Sequence, residues 1–252
     1  MRNNPEDNPL ITVFILVYNN ESGMRQTVDS VLSQTYENIQ VIISDDGSNN
    51  YDNETLNVYA DELKKKYSDV KLFCNKQNVG TVKHLNNVIK NSDGKYMMPC
   101  SSGDMLYDRD TIKNIVSFME KKHALIASGR HDDVYKDNGT TIRTVKRPAS
   151  YFGLMMNVFP GMFRKYMFDV KNVLSGSSTC YSRALFDKYG GFDEQYRLVE
   201  DYSYYLMLLK NKQKIHWIKD TVIIHEMGGV SNGDVNPLVM KDLDKIKENY
   251  RR

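Results

Sequence analysis

Leu10-Ile11-Thr12-Val13-Phe14-Ile15-Leu16-Val17 is an unbroken β-favouring apolar run, followed at once by the polar Tyr18-Asn19-Asn20. A run without alternation fits a strand buried on both faces, the condition of a central strand in a parallel sheet. Working outward, Met24, Val28, Val31 and Leu32 recur at helical spacing. A second apolar run, Ile39-Gln40-Val41-Ile42-Ile43, then breaks at Ser44-Asp45-Asp46-Gly47-Ser48. Leu56, Tyr59 and Leu63 mark a helix, and Val70 to Phe73 a strand. Val82, Leu85, Val88 and Ile89 mark a helix closed by Asp93-Gly94, Tyr96 to Cys100 a strand, and Ile112, Ile115, Val116 and Met119 a further helix. This strand–helix alternation implies an α/β fold with a parallel sheet flanked by helices on both faces.

The second half is less regular. Residues 130–180 mix Gly, Pro, Arg and aromatic residues without a clear period, which is expected of loops, short helices and edge strands. Helices are predicted near Ser182 to Lys188 and Asp201 to Lys210, short strands at Lys214 to Ile218 and Val222 to His225, and an amphipathic helix from Leu238 to Tyr250. The chain divides into a polar lead (1–9), a half of regular strand–helix alternation (10–105) and a less regular half (106–252), within one continuous domain.

Composition narrows the function classes. The 252 residues carry 34 Lys+Arg against 32 Asp+Glu, and that even balance argues against a nucleic-acid binder. The acidic, polar N-terminus lacks the apolar stretch of a signal peptide, and no apolar run approaches the roughly 18 residues of a membrane span. Cys74, Cys100 and Cys180 are odd in number and widely spaced, unlike a disulfide framework or a zinc site. The expectation is a reduced, cytoplasmic protein.

In an open parallel sheet, ligands bind beyond the carboxyl ends of the strands. Tyr18-Asn19-Asn20, Asp45-Asp46-Gly47-Ser48 and Ser101-Ser102-Gly103-Asp104 occupy such ends. Neither a Gly-x-Gly-x-x-Gly after the first strand nor a P-loop is present, so dinucleotide and P-loop readings lose their support.

The ordered set of motifs resembles family 2 glycosyltransferases. It comprises Ile11 to Asn20, Ser30-Val31-Leu32-Ser33-Gln34-Thr35-Tyr36, Asp45-Asp46-Gly47-Ser48, Asn78-Val79-Gly80, Asn86 and Gly94-Lys95-Tyr96. Gly190-Gly191-Phe192-Asp193-Glu194, Glu200-Asp201, His225 and Gly228-Gly229 continue it. The resemblance implies a GT-A fold and inverting transfer of a sugar, a hexose or N-acetylhexosamine, from a UDP-sugar. The acceptor it implies is a saccharide hydroxyl, with a lipid carrier and surface-polysaccharide assembly (capsule or lipopolysaccharide) as the setting. Work at the inner membrane face, by peripheral association, is part of the same expectation. A dTDP- or GDP-sugar donor and a catalytically silent nucleotide-sugar binding protein or complex subunit are the alternatives.

The resemblance places donor contacts at Val17, Tyr18, Asn19 and Glu21, at Asp45 and Lys83, and at Ser102, Gly103 and Asp104. Tyr18 suits stacking on a base. Asp45 is acceptor-only and suits the uracil N3–H, although Asp-Gly chemistry also makes turns. Lys83 or His84 at a helix start can meet phosphate, or simply line a solvated face. The family's Asp-x-Asp falls on Ser101-Ser102-Gly103-Asp104, where two of three acids are replaced by Ser101 and Gly103. Asp104 and His225 are the candidate ligands for Mn²⁺ or Mg²⁺, which often take only one or two carboxylates plus substrate phosphates. Asp201 is the candidate general base with Glu200 orienting it; both are also acids that a helix N-terminus favours. Arg143, Lys146, Arg147, Arg164 and Lys165 make a local basic patch suited to an acidic membrane, a lipid diphosphate acceptor or simply a solvated loop.

Overall fold

The computed structural model describes residues 8–49, 53–137, 140–226 and 236–250. The first apolar run forms β1 (Ile11–Val17), which lies between β2 (Ile39–Asp45) and β4 (Tyr96–Ser101) and runs parallel to both. β3 (Asp69–Cys74) extends the sheet beyond β2, again in parallel. The connecting helices are α1 (Glu21–Leu32), α2 (Asn53–Lys64), α3 (Thr81–Lys90) and, after the β5 strand (Asp104–Leu106), α4 (Thr111–Lys122). Successive side chains of a strand face opposite sides. Accordingly Ile11, Val13, Ile15 and Val17 enter one core cluster with Met24 and Ile43, while Phe14 enters the other with Ile42, Leu85 and Met97. Two covered faces are why the run has no polar alternation.

In the second half the expected short helices and edge strand are present, with a long strand that the sequence pattern does not mark. Residues 130–180 hold a β-hairpin, β6 (Ile126–Asp137) with β7 (Thr140–Arg147), and then the helices α5 (Ser150–Val158) and α6 (Pro160–Asp169). β7 is exposed along nearly its whole length, so burial leaves no period in it, and its cations suit an edge strand. The two strands expected at 214–218 and 222–225 are one, β9 (His216–Glu226). Its pairing with β6 shifts register between Ser128 and His131, and the exposed Lys219-Asp220 pair does not end it.

Among the described residues nine strands form one sheet, ordered β3-β2-β1-β4-β8-β6-β9-β5, with β7 on β6. β8 (Thr179–Ser182) runs antiparallel to β4 and β6, and β5 antiparallel to β9. The sheet is therefore parallel through its first half and mixed beyond β4. α7 (Arg183–Tyr189), α8 (Glu200–Lys210) and α9 (Pro237–Tyr250) complete the fold. Trp217 is buried in the second core cluster. It packs on α5 at Gly153, where a built Cβ would come within 2.2 Å of the indole Nε1.

One close approach locks the site edge of the sheet. A Cβ at Gly23 of α1 would lie 2.5 Å from the Gly103 backbone nitrogen, and the neighbouring Thr27 hydroxyl donates to the Asp104 carbonyl at 2.7 Å. Alanine would favour the helix but collide with backbone that cannot step aside. Gly23→Ala is expected to destabilise the protein by about 1–3 kcal/mol in chemical denaturation; unchanged stability would show that the turn yields freely.

Candidate functional site

The carboxyl ends of β1, β2, β4, β6 and β9 share one edge, because β6 and β9 regain the direction of β1 after the antiparallel β8. The expected donor residues gather there. Val17 is buried at the end of β1, and Tyr18 just beyond it is exposed, free to offer a ring face. Asn19 adopts a left-handed conformation (φ 50°), donates its N–H to the Ser48 hydroxyl and accepts the Asn49 N–H at 2.9 Å. Glu21 opens α1 on the surface. The Asp45 carboxylate is buried and turned onto its own loop, accepting the N–H groups of Gly47 and Ser48 at 3.1 and 3.0 Å and the Ser48 hydroxyl. The turn chemistry of Asp45 is thus realised, and Oδ1, which accepts only the Ser48 hydroxyl, keeps a lone pair for a further donor.

Asp46, read from sequence as a turn residue, does more. Its carboxylate is buried and accepts the N–H groups of Val79 and Gly80, both at 3.0 Å, and the Asn75 amide at 2.9 Å. Lys83 is exposed on the first turn of α3. His84, one of the candidate phosphate contacts, is instead buried against the Ser44 hydroxyl at 2.6 Å, and burial holds its pKa below the ordinary value.

The Ser101-Ser102-Gly103-Asp104 turn is clamped to the start of α1. The Asn20 amide donates to the Ser102 carbonyl at 2.6 Å while the Ser102 hydroxyl donates to the Asn20 carbonyl at 2.5 Å, and Asn20 also caps α1 through the Gly23 N–H. Asp104 is buried and stands opposite His225 in the β5–β9 pairing, with its Oδ1 against the imidazole Nδ1 and its Oδ2 accepting the Ser101 N–H. That hydrogen bond raises the His225 pKa, against the opposing effect of burial. Among the described residues no group of three or more His, Cys, Asp and Glu side chains converges to hold a metal ion. One carboxylate beside one imidazole nonetheless fits a hard cation that keeps several waters and takes the rest of its ligands from phosphate.

Glu200 and Asp201 begin α8, half-buried and facing the loop before β8. Asp201 accepts the Tyr202 N–H at 2.6 Å, the Asn172 amide at 3.3 Å and the Gly176 N–H. A Cβ on Gly176 would sit 3.6 Å from both the Asp201 Cβ and Glu200 Oε1, so the approach over the pair is kept low. Burial raises both pKa values: Asp201, held down by its donors, to about 6, and Glu200, further raised by the Asp201 charge, to about 8. The two carboxyls titrate as a unit.

Residues 12–190 match the family model for glycosyl transferase family 2. The chain belongs to glycosyltransferase family 2. An uncharacterised glycosyltransferase of Rickettsia felis is 29% identical over 207 residues, which are 80% of this chain and 32% of that protein. One of Rickettsia prowazekii is 29% identical over 199 residues, 77% of this chain and 57% of that protein. The chain therefore spans well under two thirds of these relatives' lengths. Among solved structures, S. aureus TarS in complex with UDP-GlcNAc superposes with TM-score 0.66 at 19% identity, covering 88% of this chain and 60% of that one. The mannosyltransferase PcManGT of Pyrobaculum calidifontis, in complex with GDP-Man and Mn²⁺, gives 0.61 at 15% identity, covering 89% and 59%. These neighbours share the α/β fold of the GT-A type.

Several family 2 motif residues prove to be scaffolding. Asn86 brackets Phe192, accepting its N–H at 2.9 Å and donating to its carbonyl at 2.8 Å. The late Gly228-Gly229 pair lies outside the described residues. Sequence reading missed Asp242 on α9, a buried carboxylate that accepts the N–H groups of Arg197, Leu198 and Val199 at 2.8, 2.7 and 3.2 Å and so sets the entry to Glu200. It also missed Asp133, opposite His225 on β6, which binds Arg147 Nε at 2.6 Å and faces His131. Neither lies in a recognisable motif; only the amphipathic spacing of α9 hinted that Asp242 turns inward.

Two measurements follow. Removing the buried Asp242 carboxylate by Asp242→Ala leaves three backbone N–H groups unpaired and should cost about 2–4 kcal/mol of unfolding free energy. Glu200 binds its proton more tightly folded than unfolded, so its contribution is present below about pH 4.5 and lost as pH rises through about 8. Glu200→Gln should therefore melt higher than wild type at pH 8, by roughly 2–5 °C, and show no such gain at pH 4. An equal difference at both pH values would mean that Glu200 ionises freely.

Proposed function

We propose that the chain transfers a hexose or N-acetylhexosamine from a UDP-sugar to a saccharide hydroxyl with inversion. The single observation that supports it most is the Asp201 carboxylate, fixed by the Asn172 amide and the Tyr202 and Gly176 N–H groups with Glu200 beside it. The acceptor oxygen attacks the anomeric carbon as the bond to the diphosphate breaks. The electron pair leaves with the nucleotide and the hydroxyl proton goes to Asp201. Glu200 orients the base or donates to an acceptor hydroxyl. Tyr18 stacks on the base, Asp45 accepts from it, and Lys83 and the Ser102–Asp104 turn meet the diphosphate. Asp104 and His225 are the residues that would hold Mn²⁺ or Mg²⁺, whose charge would steady the leaving diphosphate.

A lipid-linked acceptor, assembly of a capsule or lipopolysaccharide, and a cytoplasmic site of action at the inner membrane face belong to this proposal by family analogy. A silent nucleotide-sugar binder is the second reading, favoured by Ser101 and Gly103 standing where the family carries acids.

Asp201→Asn should lower kcat by about 10²–10⁴ and leave donor binding intact. In the wild type, kcat/KM should climb as pH rises through about 6, where Asp201 loses its proton. Full turnover in the variant would remove the base assignment; no turnover in the wild type with any nucleotide sugar would favour the silent binder. Saturating UDP should raise Tm by roughly 5–10 °C, and GDP or dTDP by less. Repeating the melts with Mn²⁺ and with chelator reads whether Asp104 and His225 hold a cation.

A further inference from the structure

α5 and α6 present an unusual outer face. Tyr151, Leu154 and Val158 recur at i, i+3 and i+7, so they share one side of α5, and Phe159 and Met162 continue the stripe into α6. Each of these five is at least 50% exposed, whereas Phe152, Gly153 and Met156 on the opposite side are buried. Exposed large apolar side chains scattered singly need no explanation, but a contiguous stripe does.

Charge identifies what would cover it. The segment 140–171 holds six Lys and Arg residues and a single acid, Asp169, in a chain whose totals are 34 and 32. A cleft of about 380 Å³ opens at the α5–α6 junction between Met156, Phe163 and Ile215, rimmed by Arg164, Lys212 and Lys214, with no acidic side chain in its lining. An apolar stripe bordered by cations matches a surface with apolar depth and anionic head groups. A second copy of the chain would bring the same cations against each other.

We infer that the α5–α6 face is a docking surface for an anionic lipid bilayer. Leu154, Val158, Phe159 and Met162 enter the head-group region, and Arg164, Lys165, Lys212 and Lys214 pair with lipid phosphates. Among the described residues no helix is long and apolar enough to cross a membrane, so the association is with one leaflet. α6 leads directly into Asn172, which donates to Asp201, so docking brings the base side of the cleft close to the lipid surface.

The test needs neither donor nor acceptor, so it stands or falls apart from the catalytic proposal. Co-sedimentation is measured with vesicles of phosphatidylglycerol and phosphatidylcholine in equal parts and with phosphatidylcholine alone. The wild type should bind the anionic vesicles, and added salt should weaken binding. Leu154→Glu with Met162→Glu should lower affinity by roughly ten-fold or more, and Arg164→Gln with Lys165→Gln by roughly five-fold per cation. Circular dichroism spectra and melts show that the variants fold. The inference fails if the wild type ignores anionic vesicles, or if the glutamate variant binds them equally well. It also fails if the face instead forms a dimer in sedimentation velocity that the glutamate variant dissolves.

Discussion

The Asp46 carboxylate is the point on which the cleft is built. A buried carboxylate survives only where donors replace the water it has lost, and Asp46 takes three from the 75–80 loop. That loop then bears on the opposite wall: the Val82 N–H reaches the Arg197 carbonyl at 3.3 Å, and the Arg197 guanidinium reaches Asn78 at 3.1 Å. Arg197 is in turn held by Asp242. Two buried acids, one at the end of β2 and one on α9, thus tie the loop after β2 to the start of α8. The C-terminal helix, through Asp242, holds the backbone that leads into Glu200.

The electrostatics of the two acidic sites differ for reasons that lie in their neighbours. Asp104 is paired with an imidazole, which spreads its charge and favours the protonated ring. Asp201 has only dipoles around it, backbone and amide N–H groups, beside a second acid. Dipoles lower a carboxyl pKa less than a full opposite charge does, and burial works against them. The consequence is a carboxylate basic enough to take a proton yet still ionised near neutrality.

The parallel half of the fold was legible because its strands are buried twice. Ile11 to Val17 and Ile39 to Ile43 advertise both faces, and the turns that follow them carry the expected polar clusters. The second half was not legible for the converse reason. β7 has no buried face to leave a pattern, α5 is apolar on both of its faces, and β9 runs through two exposed residues without breaking. At the site, residue type identified Asp104, His225, Glu200 and Asp201, and the fold brings the first two together and the last two together. His84 turns inward because helical phase, not proximity to Gly80, decides its side. Asp133 and Asp242 carry no local signal, for their partners are backbone and side chains far away in sequence.

Trp217 is the chain's sole tryptophan, and its indole rests directly on Gly153. Its near side is therefore the inner surface of α5, and its surroundings are the second core cluster. The protein carries a native fluorophore against the helix whose outer face exposes Tyr151, Leu154 and Val158. Emission wavelength and quenching can follow the seating of that helix, in solution or on a surface, with no label attached and no second tryptophan to confuse the signal.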